Sequence, residues 1–273
     1  MKKLSANLLL PITVILTLFS SCSKDTMVEE NPTLNLTQVA QGYASGAATR
    51  VEIFTNGPIR TGFTPLYIML SDSISNSPVE DALIQLSPLM DMQTMKHSSP
   101  FENPASTKAI KKLFPCNVVF TMPSGDMGSW TIAVKVQNRV NNKEGVLTIP
   151  ITVTDPAYTR IKTFSSKLDN TKYIVAYLDP ATPKVGVNDM EIAVYKKKSM
   201  MEFPADSSLA VTLTPEMPTM GHGSPNNVNP AHIGKGHYKG RVNFTMTGLW
   251  QLNLDFHQGT ALADDNTFFE VNF

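Results

Sequence analysis

The chain has 273 residues, 23 basic against 23 acidic side chains and only two cysteines. A balance this even lacks the electrostatic footprint of a nucleic-acid binder, and two cysteines cannot build a disulfide framework, so a hydrophobic core has to hold the fold. The length suits one large or two ordinary domains.

Lys2 and Lys3 precede the apolar run "LLLPITVILTLF" and then Ser20, Ser21 and Cys22. This charged, apolar, small-residue order is that of an export signal over residues 1–21, and the run is short for a spanning helix. "LFSSC" resembles a bacterial lipobox, with Phe19 where Leu is commonest, a departure of the kind that Bacteroidota-type lipoprotein signals tolerate. The resemblance implies that Cys22 is lipidated and becomes the mature N-terminus. The lipid would hold the protein in the cell envelope at the outer membrane, on its periplasmic or surface face. Losing residues 1–21 removes Lys2 and Lys3 and no acid, which leaves 21 basic against 23 acidic groups. Cys116 is then the one remaining thiol without an intrachain partner, and it is expected to be a small buried hydrophobe. "SKDTMVEENPTLNLTQ" is polar with no sustained apolar period, so residues 22–45 read as lipidated Cys and tether.

From about residue 48 the chain becomes a series of short alternating runs: "RVEIFT", "LYIML", "ALIQL", "NVVFTM", "WTIAVKV" and "VLTIPITVT". Pro, Gly, Asn and Asp separate them. Alternation with a period of two, interrupted by turn residues and lacking any long 3.6-residue period, predicts an all-β protein built as a sandwich. "NPASTKAIKKLF" is the one stretch compatible with a helical turn.

The series then restarts with "KYIVAYL", "MEIAVY", "LAVTLT", "GRVNFTM", "WQLNLDF" and "TFFEVNF". Gly62, Ile68 and Phe120–Met122 fall on Gly186, Ile192 and Phe244–Met246 at one constant offset. The turn segment aligns one residue further on, pairing Met92 with Met217, Met95 with Met220 and His97 with His222; Trp130 pairs with Trp250. The steady offset predicts a tandem duplication whose period is too long for a solenoid. Two immunoglobulin-like β-sandwiches are expected, over 46–155 and 156–273, with the boundary near "TVTDPAYTR".

Each copy carries a Met-x-x-Met-x-His segment leaving a strand, followed by a strand ending Phe-Thr-Met, a glycine-containing turn and a Trp. "PEMPTMGHGSP" followed by "GHYKGRVNFTMTGLWQLNLDF" resembles the YtkA-like/FixH-like family of small extracytoplasmic β-sandwich domains. That family's pattern is Met-Pro-x-Met-x-His, Gly-x-Tyr and Phe-x-Met-x-Gly-x-Trp. On the second copy the resemblance carries over Met217, Met220, His222, Tyr238, Met246 and Trp250. The first copy keeps Met92, Met95 and His97 but has Lys96 in place of Gly221 and Phe114 in place of Tyr238. The resemblance suggests links to copper-handling systems.

Thioether and imidazole form a soft donor set that suits Cu(I), whereas hard cations require clustered oxygens. Met217, Met220, His222 and Met246 are therefore the expected metal ligands, with Trp250 capping the ion by a cation–π contact. Met92, Met95, His97, Met122 and Trp130 would form a weaker site, because Lys96 places a cation beside it. The bland reading is that Met122 and Met246 fill the core, that both Trp residues pack in it and that the histidines are solvated turn residues. His232, His237 and His257 read as exposed polar residues, with His237 the exception to watch. No nucleophile elbow, Walker loop, HExxH helix or dinucleotide fingerprint is present, so no enzyme is expected. Two function classes follow. One is a lipid-anchored Cu(I)-handling protein, a chaperone, buffer or accessory that meets the membrane through its anchor and metal-transport or oxidase-assembly proteins in the envelope. The other is a structural or adhesive immunoglobulin-like surface module without metal.

Overall fold

The computed structural model describes residues 31–273; the expected signal peptide, Cys22 and the first part of the tether lie outside them. The first half contains β1 (Thr37–Ala44), β2 (Thr49–Thr55), β3 (Gly62–Asp72), β4 (Ala82–Asp91), β5 (Lys96–His97), β6 (Phe101–Glu102), β7 (Leu113–Phe120), β8 (Ser129–Asn138) and β9 (Lys143–Ile151). The second half contains β10 (Ile161–Ser165), β11 (Lys172–Asp179), β12 (Gly186–Lys196), β13 (Ala210–Met217), β14 (His222–Gly223), β15 (Val228–Gly234), β16 (His237–Phe244), β17 (Leu249–Gln258) and β18 (Ala261–Asn272). No helix among the described residues is long and apolar enough to cross a membrane.

Each half is a sandwich of a five-stranded and a four-stranded sheet. The first has the orders β1-β2-β3-β7-β6 and β5-β4-β8-β9, and the second β10-β11-β12-β16-β15 and β14-β13-β17-β18. Strand for strand the two orders coincide, as tandem copies require. Each interior is built from the inward residues of alternating strands. Ile53, Leu66, Ile68, Phe114, Phe120, Trp130 and Val134 fill the first core, and Val175, Ile192, Val242, Phe244, Trp250, Leu252 and Phe256 the second. Large side chains excluded from water on this scale, about 1.5–3 kcal/mol each, are what holds a fold with no disulfide among its described residues. Cys116 is buried and its Sγ donates to the Leu66 carbonyl at 3.5 Å, with burial pushing the thiol pKa far up.

Two expectations need correction. Residues 37–44 are not tether but β1, paired antiparallel with β2 from Thr37↔Thr55 to Ala44↔Thr49. Backbone ladder bonds hold this edge strand and its side chains bury little, which is why its polar sequence "TQVAQGYA" gave no apolar period. Residues 103–112 form no helical turn. They run as a loop bridged at Asp81↔Lys108 and Ile110↔Leu113, with Lys111 and Lys112 at φ 49° and 64°.

The two sandwiches meet through the outer faces of their five-stranded sheets. On β11, Tyr173, Val175 and Tyr177 enter the second core, while Ile174 and Ala176 turn outward. Together with Ala193 and Tyr195 of β12, these outward residues form an apolar layer against Val119 and Phe63 of the first sandwich. Strands buried on both faces read as continuous apolar runs, and "YIVAYL" is such a run.

Candidate metal site

The strand–turn–strand that carries the motif closes in the same way in both copies. In the second, β13 pairs with β14 so that Met217 stands opposite His222. In the first, β4 pairs with β5 so that Met90 stands opposite His97. Met90 rather than Met92 is thus the structural counterpart of Met217, which corrects the pairing made from sequence. The first turn is two residues longer, so counting back from the histidine lands on the wrong methionine. Met90 and Met217 are both core residues, at 0% and 4% exposure, whereas Met92 lies half-buried in the longer turn. Met90 and Met217 thus pack as part of the two cores, Met217 also reaching the floor of its turn.

Beneath each turn lies the tryptophan. Trp130 and Trp250 are fully buried, and their indole Nε1–H groups donate to the Met122 and Met246 carbonyls at 2.9 and 3.0 Å. Each histidine ring stands edge-on to its tryptophan, with centroids 5.5 Å apart for His97–Trp130 and 5.8 Å for His222–Trp250. Each histidine also places Nδ1 against the carbonyl of the next residue, Ser98 at 2.8 Å and Gly223 at 3.0 Å. A carbonyl only accepts, so Nδ1 carries the proton and the neutral ring keeps its lone pair on Nε2 in both copies.

The copies differ in what Nε2 meets. His97 Nε2 lies 3.4 Å from Met122 Sδ. A thioether has no proton to donate, so with the neutral ring two lone-pair atoms face each other there without a hydrogen bond between them. In the second copy Met220 and Met246 are exposed, at 61% and 41%, and the polar contact of His222 is the Gly223 carbonyl. A shallow pocket of about 420 Å³ lies at this turn, its lining including Met217, Pro218, Gly221 and His222. Sulfur and imidazole are therefore brought into contact in the first copy, and the second copy's turn stays open to solvent.

Lys96 has an ion-pair partner within its own turn. Its Nζ pairs with Asp91 Oδ2 at 2.8 Å, which neutralises it locally. His97 is buried because the second sandwich covers it: the Ser98 amide donates to the Met200 carbonyl at 2.8 Å. Between the sandwiches lies a cavity of about 470 Å³ whose lining includes Met92, Met95, His97, Met200, Tyr173 and Phe203. Met200 carries no signature in the repeat, and only its place in space brings it to the motif.

The remaining histidines divide. His232 is exposed and His257 half-buried. His237 is held between two carboxylates, Nε2 to Glu102 Oε1 at 2.8 Å across the sandwich interface and Nδ1 to Glu191 Oε1 at 2.7 Å. Tyr238, the family-pattern tyrosine, is buried with its hydroxyl 3.4 Å from the Asp206 carbonyl, and its counterpart Phe114 lies in the first core.

Residues 167–255 match the profile of the YtkA-like family. Among curated proteins none matches the chain significantly. Of solved structures, domains 5-6 of the S-layer protein SbsC are similar at 12% identity over 87% of this chain and 97% of that one, with a TM-score of 0.29. A conserved domain protein from Bacillus anthracis is similar at 14% identity over 84% of this chain and 81% of that one, with a TM-score of 0.33.

Proposed function

We propose, on the premise that the second sandwich is a YtkA-like domain, that the protein is a lipid-anchored extracytoplasmic binder of a soft metal ion, Cu(I), which it buffers or hands on within the cell envelope. The recipients in this reading are metal-transport or oxidase-assembly proteins. One observation carries it: in both copies the backbone fixes the histidine tautomer so that Nε2 is left as a lone-pair donor. Metal-binding imidazoles are oriented in this way, with the other ring nitrogen donating to a carbonyl. In the first copy a thioether completes a donor pair whose 3.4 Å separation two metal bonds of about 2.0–2.3 Å can span. Both donors are neutral and soft, which favours Cu(I) over hard dications. The first copy is the tighter site in this reading and the open second turn the weaker one, the reverse of the order expected from Lys96.

Competition with a Cu(I) chelator under reducing conditions tests this. His97→Ala and Met122→Leu should each weaken binding about tenfold or more, and His222→Ala should remove only a weaker second equivalent. A wild-type protein that cannot compete for Cu(I) would leave the Met/His turns as ordinary structure and return the adhesive-module reading. The anchor is tested separately, since labelled fatty acid should enter the wild type and not Cys22→Ala.

A further inference from the structure

We propose that Met200, from the loop between β12 and β13 of the second sandwich, supplies a sulfur ligand to the first-copy site, so that one soft monovalent ion is held between the two sandwiches. This rests on the metal-binding reading of His97 and Met122. The loop reaches across the interface, where the Met200 carbonyl accepts the Ser98 amide at 2.8 Å, one residue from His97. Met200 lines the same 470 Å³ cleft as Met92, Met95 and His97, so three methionines and the imidazole share one partly open space between the sandwiches. Met200 is half-buried there, while its neighbour Met201 is 56% exposed. Two cations, Lys172 and Lys197, also line the cavity. Coulomb repulsion scales with the product of the charges, so a divalent ion would meet twice the opposition that a monovalent one does. Neutral thioethers with nearby ammonium groups thus select for Cu(I) or Ag(I) rather than for a dication.

A site built from both halves predicts that the ion draws them together. The test uses the full exported chain, titrated with Cu(I) against a chelator and, in parallel, with Ag(I) as a redox-inert probe. Met200→Leu conserves volume and should keep the fold, with an unchanged unfolding midpoint for the metal-free protein. It should lower affinity about tenfold and remove one sulfur neighbour from the X-ray absorption spectrum of the bound ion, whereas Met201→Leu changes neither. Hydrogen exchange at the Ser98 amide should slow on metal binding in the wild type and not in Met200→Leu. If His97→Ala loses the metal while Met200→Leu binds as tightly as wild type with the same sulfur count, the inter-sandwich ligand is wrong and the first-copy site stands alone. If the wild type takes up neither ion, both readings fall together.

Discussion

At Gly128 and Gly248 the chain turns into the strand that carries the buried tryptophan, with φ at 147° and 127°. A side chain is strained at either position, by about 1–3 kcal/mol. The surroundings then separate the two. A Cβ at Gly128 would sit 2.4 Å from the Asp91 carbonyl oxygen, a backbone atom that cannot yield, and at Gly248 the close atom is the Met217 methyl at 2.7 Å, the end of a flexible side chain. Gly128→Ala should therefore lower the thermal midpoint more than Gly248→Ala, and equal losses would show that the turns are more alike than their contacts. The glycine was visible in the motif. That its first-copy version guards a backbone contact was not, because nothing in the spacing shows which atoms cross the turn. The same holds for Lys96, whose charge looked hostile to a metal until Asp91 was found to pair with it.

Among elements, β6, β12 and β16 assemble the charged part of the interface around His237. The Glu102 carboxylate hydrogen-bonded to it, helped by Glu191, holds the His237 pKa above the ordinary histidine value despite burial. Burial pushes Glu102 upward, but hydrogen bonds from His237 and Asn117 outweigh it and leave its pKa below the ordinary carboxylate value. A histidine whose folded pKa is raised contributes stability fully below its unfolded value of about 6.5 and loses it as pH rises through the folded value. Glu102, with its folded pKa lowered, contributes above the unfolded carboxylate value and loses this as pH falls through the folded one. The pair should therefore stabilise the docked sandwiches most between roughly pH 4.5 and 6.5. In urea unfolding, the stability gap between wild type and His237→Gln should shrink from pH 6 to pH 9; a constant gap would mean that His237 acts only by packing. The sequence marked His237 for its place beside Tyr238, and its two carboxylate partners come from strands 46 and 135 residues away. The edge strands β1, β10 and β15 escaped sequence reading for a related reason. Each has a neighbour on one side only, so hydrogen bonding can define it without an apolar stripe.

In the whole molecule, the apolar layer of Ile174, Ala176, Ala193, Tyr195 and Val119 makes the sandwiches one compact unit over Pro32–Phe273. Ile174 is 4% exposed in that layer and outside both cores. Ile174→Lys places a charge in this apolar layer, at a cost on the order of a few kcal/mol to docking. Calorimetry should then resolve two transitions where the wild type shows one. A single transition at the wild-type midpoint would mean that the layer contributes nothing to cooperativity.

The amino-acid sequence by itself determined the all-β class, the duplication, most strands of both cores and the Met/His/Trp motif, because period-two burial and repeat spacing are local properties written along the chain. It also determined which residue types form a soft donor set. Only the tertiary structure decided which methionine stands opposite each histidine, that Nε2 of His97 meets Met122 sulfur, and that the first copy is covered while the second is open. Those outcomes depend on a two-residue difference in turn length and on the docking of one sheet face against another. Both bring together atoms far apart in sequence, and no local pattern records them.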